Sequence, residues 1–80
     1  MLMKLTPLER VQTNRVVTFE DEPPLYINPD KIFLVTEYHE KYSNDNHVSR
    51  IVFDDGQYFI RESPEEVVAL EYEAYNKFKK

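Results

Sequence analysis

Cysteine and tryptophan are missing from these 80 residues, and glycine occurs once. Without cysteine there are no disulfides, thiolate metal ligands or redox motifs, so stability must come from packing, and a reducing cytoplasm suits the chain. A single glycine, Gly56, excludes the glycine-rich loops that cradle phosphates and dinucleotides. No apolar run approaches the roughly 20 residues that a membrane helix needs. The opening MLMKLTPLER becomes charged too soon for a secretory signal, so a soluble, cytoplasmic protein without membrane insertion is expected. Positive charge is also scarce. Ten Lys and Arg stand against fifteen Asp and Glu, a net charge of −5 that repels phosphate backbones, so direct nucleic-acid binding is not expected.

The composition that remains is that of a folded domain, 41% hydrophobic and 31% charged. One domain, residues 1–80, is expected, and a chain this short buries only roughly 60 to 65% of its unfolded surface. In the segment IVFDDGQYFI the Asp55-Gly56 pair sits between alternating apolar runs and predicts a tight hairpin. A two-residue turn there sets residue 53 against 58 and 51 against 60. Ile51, Phe53, Tyr58 and Ile60 then share the core face, while Arg50, Val52, Asp54, Gln57, Phe59 and Arg61 lie on the other. Next, Ser63 can cap a helix, Pro64 suits its first position, and Glu66 stands where a capping box places its acid. Val67, Leu70, Ala74 and Phe78, with Tyr75 beside them, form one helical stripe. Glu65 and Glu66 at the start and Lys77, Lys79 and Lys80 at the end complement the helix dipole.

Upstream, LYINPDKIFLVTEY divides into two extended pieces about Asn28-Pro29-Asp30, because proline bars Asn28 from helical geometry. The strand through Phe33, Leu34 and Val35 is apolar on both faces and reads as the central strand. Residues 39–47, HEKYSNDNH, are polar and turn-rich and read as a mobile loop. MLMKLTPL and NRVVTFE have strand composition, with Pro7 confined to an edge or a strand end. Residues 20–24, EDEPP, read as a stiff acidic connector. The fold class is therefore α+β: a small antiparallel sheet of four or five strands with one C-terminal helix packed on one face.

MKLT at 3–6, LYINPDKI at 25–32, DGQYFIRESPEEVV at 55–68 and EYEAY at 71–75 together resemble the FlbD-type family, also called SwrD, small proteins associated with flagella and swarming motility. The resemblance implies a short antiparallel sheet followed by one helix and a role in motility. The chain departs from the family pattern by about a dozen extra residues within 7–24, readable as strand or loop, and by the longer loop at 39–47.

Candidate catalytic and metal groups reduce to structural roles. His39 and His47, with Glu37, Glu40 and Asp45 nearby, match no established ligand spacing. Ser63 lacks the context of a nucleophile elbow, and Glu65 and Glu66 point apart on a helix. No catalytic, cofactor-binding or metal residue is assigned, and no cofactor is expected. Six tyrosines and five phenylalanines exceed what so small a core can hold. Tyr26, Tyr38, Tyr42, Tyr72 and Tyr75 are candidates for exposure. The protein-contact candidates are Tyr38, Tyr42, Arg50, Asp54, Phe59, Arg61 and Tyr72. Arg50 and Arg61 oppose each other in the expected register and call for carboxylates close by.

These features point to a small non-enzymatic accessory or regulatory protein, of bacterial or phage origin, acting on a protein partner, with homo-oligomerisation as a further expectation. The alternative is a phage-type inhibitor whose acids, Glu20, Asp21, Glu22, Asp54 and Asp55, mimic nucleic acid in the basic groove of an enzyme.

Overall fold

A computed structural model describes residues 2–54 and 56–78, with the side chains of residues 77 and 78 left aside. The expectations placed on Asp55, on the Phe78 ring and on the terminal lysines lie outside what it describes. The elements are β1 (Met3–Leu5), β2 (Pro7–Thr13), β3 (Val16–Asp21), β4 (Leu25–Ile27), a single 3₁₀ turn (Pro29–Lys31), β5 (Ile32–Glu37), β6 (Ser49–Phe53), β7 (Gly56–Ile60) and α1 (Pro64–Phe78).

The fold is α+β, with two antiparallel sheets and one C-terminal helix. The main sheet has the order β3-β2-β7-β6-β5, and β1 pairs with β4 in a second, two-stranded sheet. Period-two alternation buries Ser49, Ile51 and Phe53 along β6. On this face the core gathers Met3, Leu5, Ile51, Phe53, Ile60 and Val67, with Leu70 of α1 packed against it. The opposite face carries a second cluster, Leu8, Val17, Phe19 and Val48, joined by Tyr38 and Phe59. The sheet is therefore apolar on both sides, a consequence of the chain placing aromatics at both parities of β7.

The β6–β7 hairpin keeps its expected faces but not its expected register. Phe53 pairs with Gly56 and Ile51 with Tyr58, so the strands sit two residues from the alignment that an Asp55-Gly56 turn gives. A shift of two preserves the side-chain alternation, so Ile51, Phe53 and Ile60 stand in the core as expected, whereas Tyr58, expected beside them, is exposed. Arg50 consequently lies opposite Phe59 rather than Arg61.

The position of β5 is a larger correction. It is an edge strand, and β7 is the centre of the sheet. The register of β5 against β6 shifts between Ile32 and Leu34, a bulge that leaves Phe33 76% exposed. Two apolar parities thus reflect a bulge at an edge, not burial on both faces.

Helix α1 begins as its cap chemistry requires. The Glu66 N–H donates to Ser63 Oγ at 3.1 Å and the Val67 N–H to the Ser63 carbonyl at 2.9 Å. Asn28 is extended, φ −81° and ψ 122°, and its side chain accepts from the Asp30 N–H. Glu20 and Asp21 belong to β3, leaving only residues 22–24 as the connector. Within β2 only Pro7 and Leu8 pair with β7. Beyond them β2 and β3 continue as a two-stranded ribbon, turning at Asn14 with φ 56°. The ribbon contributes to an elongated shape, 51 × 22 × 20 Å.

Candidate interaction surfaces

The connection between β5 and β6 is pinned by charge. Arg61, just past β7, donates to Asp45 Oδ2 at 2.6 Å, to Asp21 Oδ1 at 3.1 Å, and to the carbonyls of His47 and Phe19 at 3.2 Å. One guanidinium so joins β7, β3 and the loop, using the several donors that only arginine offers. Its hydrogen bond to Asp45 is the main reason that this carboxyl titrates below its ordinary range, against the opposing effect of burial.

A second tie forms where Glu40 Oε1 accepts from Arg10 Nε at 2.5 Å and from the Tyr38 hydroxyl at 2.8 Å. These bonds, Arg10 first, hold the Glu40 carboxyl low, and the bond to Glu40 raises the Tyr38 phenol. The loop backbone adds a third contact, with the Val17 N–H donating to the Tyr42 carbonyl at 3.0 Å. The segment read as a mobile loop is thus an anchored strap across the second apolar cluster. Its polar residues find partners on β2, β3 and β7, which nothing in the local composition announces.

The protein-contact candidates divide accordingly. Tyr38 and Phe59 are half-buried against the second cluster, with ring centroids 4.7 Å apart and Phe19 packed edge-on to both. Arg61 is consumed by the strap. Tyr42 is exposed on the loop with the Lys41 ammonium 5.5 Å from its ring centre, and Tyr72 is exposed on α1. Arg50 is half-buried beside Phe59, and its Nε is buried with no hydrogen-bond partner among the described residues. The carboxylate expected near the paired arginines is therefore supplied to Arg61, not to Arg50. Tyr26 and Tyr58 are exposed, whereas Tyr75 is half-covered and bonds Asp30 through its hydroxyl.

Asp54 is among the residues that line a cleft of about 400 Å³ between β4, the 3₁₀ turn and the end of the β6–β7 hairpin. Leu25, Ile27, Phe53 and Tyr58 line it with apolar surface, and Asn28 and Lys31 add polar groups. Phe53 and Tyr58 meet in an edge-to-face pair, centroids 5.5 Å apart. Tyr58 is nevertheless 47% exposed. The cleft escaped sequence reasoning because it arises where the second sheet meets the first, a long-range juxtaposition with no local signal.

The histidine and acid group does not assemble. His39 Nε2 lies 3.9 Å from Glu37, while Glu40 and Asp45 are taken by arginines. No cluster of three potential metal-ligating side chains occurs among the described residues. Of the acids considered for mimicry, Glu20 and Asp21 lie together on β3 with Glu22 following, apart from Asp54 between β6 and β7. Asp21 is paired with Arg61 where β3 ends, and Asp54 lies at the far end of β7. Among the described residues no helix is long and apolar enough to cross a membrane. Compared with known protein families, with curated proteins and with solved structures, the chain matches none.

Proposed function

We propose that this chain is a small non-enzymatic accessory or regulatory protein of the cytoplasm that works by binding another protein through the cleft beside Asp54. The observation that carries this reading is the exposed Tyr58 ring, packed edge-to-face on Phe53, in an apolar cleft of about 400 Å³. A concave apolar site with an aromatic wall suits an anchoring side chain of a partner, and Asp54 in its lining favours a basic group there. The lining offers one ammonium and one carboxylate, groups that can orient a bound side chain. The likeness of the segments at 25–32 and 55–68 to FlbD-type proteins supports motility machinery as the setting.

Affinity capture from lysate of the cells that encode it, at low and high salt, tests the reading with Tyr58→Ala and Asp54→Lys baits alongside the native chain. A partner retained at high salt by the native chain and weakened about tenfold or more by Tyr58→Ala is the expected result. A partner indifferent to both substitutions would sink the cleft as the site. Capture that high salt abolishes and DNA competes away would instead favour the phosphate-mimic reading.

A further inference from the structure

Arg10 and Arg61 are each held by carboxylates, Arg10 by Glu40 and Arg61 by Asp21 and Asp45. Arg50 of β6 enters no ion pair among the described residues, and its Nε is buried without a hydrogen-bond partner. An exposed cation such as Arg15 keeps its water, whereas Arg50 is half-buried and gives up hydration with no counter-charge in return. Burial without a partner is confined to Nε, which leaves the two terminal amino groups to donate to a group arriving from outside.

The neighbours of Arg50 across the strands are Thr36 of β5 and Phe59 of β7. Two residues on, Val52 shares the same face and stands opposite Leu34 on one side and Gln57 on the other. These two rows contain no acid. Leu34 and Val52 belong to neither hydrophobic cluster, and Leu34 is 36% exposed. The strap is tied elsewhere, to β2, β3 and the end of β7 through Arg10, Val17 and Arg61. The β5–β6 half of this face so presents a cation without a counter-charge beside an apolar pair.

We propose that this face receives an acidic segment of a protein partner, whose carboxylate bonds the Arg50 guanidinium and whose neighbouring apolar side chain covers Leu34 and Val52. A carboxylate matches the two terminal amino groups as a bidentate acceptor. The complementarity is local, because a chain of net charge −5 repels a polyanion from a distance, so one carboxylate flanked by apolar groups fits where a phosphate backbone does not. Arg50 lies on the face opposite Phe53, which lines the cleft, so this site does not rest on the cleft reading.

Retention of the full chain on immobilised peptides reads the outcome. One set consists of blocked pentapeptides with glutamate at the centre and leucine, valine, isoleucine or phenylalanine elsewhere, and a second set has glutamine at the centre. The native chain is expected to bind the glutamate set about tenfold better than the glutamine set. Arg50→Gln loses that preference, and Arg50→Lys restores part of it. Thr36→Glu keeps Arg50 but sets a carboxylate of the chain's own opposite it, so the preference falls there too. Circular dichroism confirms that each variant is folded. Equal retention on both sets overturns the proposal, as does a preference that survives Arg50→Gln or Thr36→Glu. A preference that inorganic phosphate abolishes, where chloride of the same ionic strength does not, overturns it as well, since it marks a site for any small anion.

Discussion

Arg61 shows how much of a small protein can depend on one side chain. It bonds two carboxylates and two carbonyls that belong to two separate stretches of chain, β3 and the connection before β6. Arg61→Met keeps much of its packing and removes all of these bonds, and a loss of about 2 kcal/mol is expected by urea denaturation, since each partly exposed bond contributes modestly. The two carboxyls that hold the strap, Asp45 and Glu40, both titrate below their ordinary values because of their arginines. For a carboxyl depressed in the folded state, the stabilisation is complete above the unfolded carboxylate range and is lost as pH falls through the folded value. Acidification from neutral pH is therefore expected to release the strap before the sheet. Relative to the intrinsic rate at each pH, the Val17 amide, bonded to Tyr42, should lose its protection from hydrogen exchange below the ordinary carboxylate range while the Ile51 amide keeps its own. Equal loss of protection at both would refute a separate strap transition.

At the scale of elements, those with local chemistry were the legible ones. The Ser63 cap, the extended Asn28 before Pro29 and the alternation of β6 each follow from neighbouring residues, and all stand in the structure. Register and strand order depend on partners far along the chain. The glycine of Asp55-Gly56 pairs with Phe53, which moves the hairpin by two, and a bulge lets Phe33 masquerade as a core residue. Val68 could have been suspected as surface because it falls off the Val67, Leu70, Ala74 stripe; the cleft at Tyr58 could not, because two sheets build it. The β2–β3 turn offers a clean test of local chemistry. Asn14 has a positive φ of 56°, a conformation that asparagine tolerates and a β-branched residue resists. Asn14→Val is expected to cost about 1 kcal/mol in thermal unfolding, whereas Asn14→Gly should be nearly neutral.

For the whole molecule, Leu5 occupies the junction. It is fully buried in the core that joins the two-stranded sheet to β6, β7 and α1. Leu5→Ala is expected to cost about 3 kcal/mol, a large share of the roughly 4 to 12 kcal/mol available to a domain of this length. A lowered denaturation midpoint with an unchanged slope would show a cavity in an otherwise intact fold.

The strand order carries a temporal consequence. β7, in the middle of the main sheet, is the last of its five strands in sequence. During synthesis the β2–β3 ribbon and the β5–β6 pair emerge before the strand that must lie between them. The ribbon, made long before β7, therefore keeps Pro7 and Leu8 unpaired until that strand arrives, whereas β6 precedes β7 by only two residues. Insertion of β7 then closes the sheet from its middle outward.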